Sequence, residues 1–176
     1  LSVKEASVGE LCTKVGYLYQ YPEHQLFSSK VSEEIAFGPR NLGLPEDQVK
    51  KMVNEVSEKL GISHLLDAHP FFLSRAEKAR VALASVMVMR PKVLILDEPT
   101  TGQDWQGSKM MMNEVEKLNK EEGITVILIT HDMRLVCEHA KRTICMLNGK
   151  IIADAPTREI FSRQDILRKA FLEPPY

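Results

Sequence analysis

The segment Val93-Leu94-Ile95-Leu96-Asp97-Glu98-Pro99-Thr100 sets two adjacent carboxylates directly behind four apolar residues. A continuous apolar run predicts a strand buried on both faces, and ligands of α/β sheets bind beyond the carboxyl ends of such strands. Asp97 is placed there to hold Mg²⁺, and Glu98 to orient and deprotonate an attacking water. A strand followed by an acidic turn is common, so this pair gains its meaning from what surrounds it. Upstream, Ser74-Arg75-Ala76-Glu77 has the form of a capping box, with Ser at the N-cap and Glu at the third helical position. Downstream, Thr125 to Thr130 reads as a second buried strand, with His131 at its end. A lone histidine at a strand end is ordinarily a satisfied structural group.

Several elements must position these residues. Val15 to Gln20 reads as a short strand ending before the turn signal Tyr21-Pro22. Val49, Met52, Val53, Val56 and Leu60 form one apolar helical stripe closed by Gly61, after a break at Gly43-Leu44-Pro45. The helix opened by Ser74 runs to about Met89 and stops before Pro91; Met111, Val115 and Leu118 mark another, ended by Gly123. Asp132 to His139 is helical, Asn148-Gly149 signals a hairpin between Ile144–Leu147 and Ile151–Ala153, and Thr157 and Ser162 are expected to cap short terminal helices. The alternation predicts an α/β fold with a mainly parallel sheet. Residues 14–21 and 91–156 form its sheet part, 22–90 an inserted helical subdomain, and 157–176 the C-terminal helices.

The chain has 176 residues, enough for one well-buried domain and too few for two ordinary ones. Its formal net charge of -1 argues against a surface built for nucleic acid. Its longest apolar runs fall far short of a membrane span. The three cysteines (Cys12, Cys137, Cys145) lack metal-site spacing and read as reduced thiols of a cytosolic compartment.

Taken in order, these segments resemble the ATP-hydrolysing subunit of ABC transporters, a P-loop NTPase-like fold. Val93 to Thr100 is similar to the family's Walker B segment. The resemblance implies that Gln20 is the Q-loop glutamine contacting Mg²⁺, and that Asp104, in Thr101-Gly102-Gln103-Asp104, is the D-loop aspartate facing a dimer interface. His131 takes the place of the switch histidine that senses the γ-phosphate. Leu73-Ser74-Arg75-Ala76-Glu77-Lys78 stands where the family presents a helix N-terminus to the ATP of the other subunit. Ser74 and the helix dipole survive there, and Arg75 could either offer charge to phosphate or block docking by its bulk. Arg75 and Ala76 replace two glycines that permit close approach. Pro22-Glu23-His24-Gln25-Leu26-Phe27 and Val31 to Gly38 resemble energy-coupling-factor and cobalt-type importers.

The resemblance implies ATP and Mg²⁺ as cofactors and hydrolysis of ATP to ADP and phosphate. It also implies a second ABC ATPase subunit as homo- or heterodimer partner, and a transmembrane coupling subunit. The expected location is cytoplasmic, peripheral on the inner face of the cell membrane, where the subunit would drive uptake of a metal ion or vitamin. No Gly-x-x-x-x-Gly-Lys-Ser/Thr occurs in the sequence; Gly149-Lys150, its one Gly-Lys pair, is followed by Ile151. That loop supplies the backbone amides and lysine that grip the β- and γ-phosphates. The chain begins at Leu1 and reads as the portion downstream of such a loop and of the first strands, so alone it is expected not to hydrolyse ATP. The alternatives are a degenerate, non-hydrolytic ABC-like binding module and a soluble ABC ATPase.

Overall fold

The computed structural model describes residues 3–103, 105–170 and 172. The chain divides into two compact units, the first ending at Ile127 and the second starting at Leu128.

The first unit opens with α1 (Val8–Cys12), which Ser7 and Glu10 close with a capping box. β1 (Val15–Leu18) follows and ends just before the Tyr21-Pro22 turn. Three helices come next: α2 (Val31–Asn41), α3 (Glu46–Lys59) and α4 (Arg75–Met87). Among the described residues no strand lies between β1 and β2 (Val93–Asp97), which is followed by α5 (Trp105–Glu122) and β3 (Thr125–Ile129). The apolar stripe of α3 is buried at Val49, Val53 and Val56. α4 is buried at Ala79, Val81, Ala82, Leu83 and Ala84, and these small side chains let it pack closely against both α2 and β1.

β1 and β2 pair in parallel, in register from Val15 with Val93 to Leu18 with Leu96. β3 completes the sheet order β1-β2-β3, its Thr125 N–H donating to the Lys92 carbonyl at 3.0 Å. Because side chains alternate across a strand, Leu18, Leu94 and Leu96 all turn to one face and are buried. The other face carries Tyr17 and Tyr19, both exposed.

That asymmetry corrects the expectation of strands buried on both faces. Ile127 and Ile129 of β3 are 46% and 47% exposed. Val93 and Ile95 of β2 are partly exposed, although Leu94 and Leu96 are fully buried. A run of apolar residues reports β propensity; it does not report how many layers cover the sheet.

In the second unit Asp132 caps α6 (Met133–His139), its Oδ1 accepting the amides of Arg134 and Leu135. β4 (Arg142–Leu147) and β5 (Lys150–Pro156) form the expected antiparallel hairpin, with Asn148 and Gly149 at φ 48° and 74° in its turn. Arg142 and Asp154 face each other across it with two charge-assisted hydrogen bonds, at 2.7 and 2.6 Å. α7 (Thr157–Ser162) and α8 (Gln164–Lys169) pack onto the hairpin, burying Cys145, Ala153, Ile160, Ile166 and Leu167 together.

The expected caps Thr157 and Ser162 are not caps. Pro156 and Arg163 occupy the N-cap positions. The Thr157 hydroxyl instead donates to the Ala140 carbonyl at 2.6 Å, tying α7 to the end of α6. A hydroxyl reaches whichever acceptor the tertiary fold brings nearest, which local sequence does not reveal.

Candidate functional site

Asp97 ends β2 and Glu98 follows it, both partly buried. The fully buried Leu94 and Leu96 anchor the strand from below. Glu98 adopts φ 45°, in the left-handed region. A non-glycine residue held in a sparsely populated conformation costs about 1–3 kcal/mol and persists only where its surroundings enforce it. Here the enforcing contacts lie in the loop itself. Thr101 N–H donates to the Glu98 carbonyl at 3.0 Å, and Gln103 Nε2 donates to the Pro99 carbonyl at 2.8 Å.

The Asp97 carboxylate accepts a hydrogen bond from the Tyr17 hydroxyl at 2.7 Å on Oδ2. The same bond, with some burial and the nearby negative charge, raises the Tyr17 phenol above its ordinary range. It is therefore a protonated donor at neutral pH.

Parallel pairing brings the ends of β1 and β2 side by side, so Gln20 follows the neighbouring strand of the same sheet. Gln25 folds back onto the end of β1. Its Oε1 accepts Tyr19 N–H at 3.4 Å and its Nε2 donates to the Tyr17 carbonyl at 3.5 Å, both at the long limit of such bonds. The buried Glu34 carboxylate accepts the amides of Phe27 and Ser28 at 2.9 and 2.7 Å, fixing the far end of this loop. Phe27 and Phe37 meet edge to face at 4.8 Å, both exposed.

Arg75 draws three segments together. Its guanidinium carbon lies 5.6 Å from the centre of the Tyr21 ring. It also packs against Gly102, where φ is 69° and an added Cβ would overlap the guanidinium. Arg75 Nε and Nη2 are buried with no hydrogen-bond partner among the described residues.

Ser74 caps α4 as expected. Its Oγ accepts Glu77 N–H at 3.4 Å, while Glu77 Oε2 accepts Ser74 N–H at 2.8 Å. The Ser74 hydroxyl, which also donates to Glu77 Oε2 at 2.7 Å, and the Ser74 amide hold the Glu77 carboxyl below its usual range. A carboxyl depressed by folding stabilises above its unfolded value and loses that contribution as pH falls. Ser74→Ala is accordingly expected to cost about 1 kcal/mol near neutral pH. The gap from wild type should shrink below about pH 4.5, the ordinary carboxylate value. Chemical denaturation of both proteins at several pH values checks this; a gap independent of pH contradicts it.

Of the expected site residues, Gln20, Ser74, Arg75, Asp97 and Glu98 lie in the first unit. His131 lies in the second, exposed, just after β3. Asp104 lies outside the described residues. Tyr17, Tyr21, Glu34 and Gly102 were not singled out individually from sequence. The aromatic run Tyr17-Leu18-Tyr19-Gln20-Tyr21 was the available signal for two of them.

Among the described residues no three His, Cys, Asp or Glu side chains converge as a metal cluster. The set fits Mg²⁺ as a cation arriving with phosphate oxygens, because such ions are held by one or two carboxylates plus substrate phosphates. The N–H groups of Arg75 that lack a partner among the described residues, at the N-terminus of α4, fit a phosphate oxygen. No helix among the described residues is long and apolar enough to cross a membrane.

Comparison with known proteins places the chain in a family. The ABC transporter family profile matches residues 2–101. An ABC transporter ATP-binding protein of Methanosarcina acetivorans is 46% identical over 169 residues, covering 96% of this chain and 27% of that protein. The energy-coupling factor transporter ATP-binding protein EcfA2 of Ligilactobacillus salivarius is 40% identical over 175 residues, covering 99% of this chain and 61% of that protein. The chain thus spans less than two thirds of the length of these relatives. A solved structure of cbiO1 from Clostridium perfringens, described as part of the ABC transporter complex cbiONQ, superposes with a TM-score of 0.81 at 40% identity. It covers 91% of this chain and 64% of that one. With a profile match over more than half its length, the chain belongs to the ABC transporter family.

Proposed function

We propose that the chain acts in the ATP-hydrolysing subunit of an energy-coupling-factor or cobalt-type importer, carrying the part that activates water. The observation that carries this reading is Glu98 at φ 45°, directly after a strand anchored by two fully buried leucines. Strain of this kind gathers at catalytic positions. Glu98 orients water for attack on the γ-phosphorus and takes its proton. His131 senses that phosphate. Asp97 and Gln20 hold Mg²⁺, which neutralises charge developing on the phosphate oxygens when bound. Ser74 and Arg75 present the N-terminus of α4 to ATP held by a second ABC subunit, and Asp104 faces that subunit.

The similarity to EcfA2 and cbiO1 supports the importer class. The exposed Phe27–Phe37 pair, on the loop after Gln20, supports docking of a transmembrane coupling subunit there. The location would then be peripheral, at the cytoplasmic face of the membrane, and the cargo a metal ion or vitamin. Residues 22–90 serve as the helical subdomain, between the sheet residues 14–21 and 91–156, with 157–176 as terminal helices.

The test is ATP-driven uptake in proteoliposomes containing the assembled transporter. Uptake should disappear with Glu98→Gln; uptake that persists unchanged overturns the reading. A non-hydrolytic binding role has one observation in its favour, the Arg75 guanidinium standing where the family has glycine. That role predicts transporter assembly without any Glu98-dependent phosphate release.

A further inference from the structure

Tyr17 lies two residues before the β1 position level with Asp97. Tyr17 is in register with Ile95, so Asp97 lies roughly 6.6 Å further along the neighbouring strand, at about 3.3 Å per residue. Alternation puts Tyr17, Ile95 and Asp97 on the same face of the sheet. A tyrosine ring laid along the strands spans that offset, and its hydroxyl meets Asp97 Oδ2 at 2.7 Å. Residues eighty apart in sequence are joined by this bond. Tyr19, on the same face, packs its ring edge against Tyr17 at 5.3 Å and narrows the positions the Tyr17 ring can take.

The terminal torsion of an aspartate is broad and nearly two-fold, so an unheld carboxylate swings its oxygens freely. Donation to Oδ2 fixes the carboxylate plane and leaves Oδ1 for a cation. We propose that Tyr17 is a positioning residue, holding the Asp97 carboxylate in the orientation that receives the divalent cation of the nucleotide. This rests on the reading of Asp97 as the cation's carboxylate. Outer partners that orient a ligating group typically change metal affinity by about 10–100-fold.

The experiment uses the assembled transporter in a Glu98→Gln background, with ATP and Mn²⁺ as the probe, and reads bound Mn²⁺ by electron paramagnetic resonance. Tyr17→Phe keeps the ring and removes the donor. It should weaken Mn²⁺ binding about tenfold while leaving ATP binding in EDTA and the melting temperature unchanged. With Glu98 restored, it should raise the Mg²⁺ concentration needed for half-maximal turnover without lowering the rate at saturating Mg²⁺. Tyr19→Phe, which removes a hydroxyl from the same face, should change none of these. The proposal is overturned if Tyr17→Phe leaves Mn²⁺ affinity intact while Asp97→Asn weakens it. It is also overturned if Tyr17→Phe weakens metal-free ATP binding as much as Mn²⁺ binding, since the bond would then only support the fold. If Asp97→Asn also leaves Mn²⁺ affinity unchanged, the reading of Asp97 itself fails.

Discussion

Glu98→Gln is expected to lower ATP turnover in the assembled transporter by about 10²–10⁴-fold, the usual contribution of a positioned general base. Glutamine keeps the size and the hydrogen-bonding reach of the side chain but cannot accept the proton of the attacking water. The Thr101–Glu98 and Gln103–Pro99 hydrogen bonds of the turn that holds Glu98 at φ 45° do not use the Glu98 carboxylate, and the substitution leaves them in place. ATP affinity should therefore stay close to wild type while product formation stops. Single-turnover phosphate release alongside equilibrium nucleotide binding separates the two effects. Equal losses in binding and turnover would mean that Glu98 supports the loop and not the chemistry.

The second large effect is on stability. Leu96 is fully buried on the covered face of β2, one residue before Asp97. Leu96→Ala removes three carbons from a packed site and should cost about 3 kcal/mol, within the range for buried leucines. For a chain of this size each kcal/mol lowers the melting temperature by about 2–4 °C, so a fall of about 6–12 °C is expected. Ile95→Ala, on the partly exposed face of the same strand, should cost less than half as much. Thermal melts of the two variants decide the matter, and equal losses would contradict the one-sided burial of the sheet.

The elements that carry the candidate site were legible in sequence wherever the signal is local. Apolar residues leading into Asp97-Glu98 marked a strand end, Ser74 with Glu77 marked a helix start, and Asn148-Gly149 marked a hairpin. Each depends on neighbours within a few residues. What was not legible depends on contacts between segments distant in sequence. The Tyr17–Asp97 bond needs the register of β1 against β2, which no local pattern encodes. The folding of Arg75 onto Tyr21 and Gly102 needs the N-terminus of α4 and two loops to converge. The exposure of Ile127 and Ile129 depends on how many layers cover the sheet, and an apolar run looks the same with one layer or two. A threonine at a helix start signals a cap in local sequence, but the fold puts the Ala140 carbonyl within reach of the Thr157 hydroxyl.

Arg75 joins these two kinds of information. Sequence showed a bulky cation where the family has glycine, and the structure turns that cation onto Tyr21 with two N–H groups unsatisfied among the described residues. The N-terminus of α4, the loop after β1 and the loop after β2 are thereby packed through one side chain, in a single unit.

The central proposal is that Glu98 activates water, while no Gly-x-x-x-x-Gly-Lys-Ser/Thr loop to grip the phosphates of ATP occurs in these 176 residues. Phosphate release by the purified 176-residue polypeptide, with ATP and Mg²⁺, tests it most directly. The account predicts a rate no higher than that of the Glu98→Gln polypeptide. Robust hydrolysis that depends on Glu98 would contradict it.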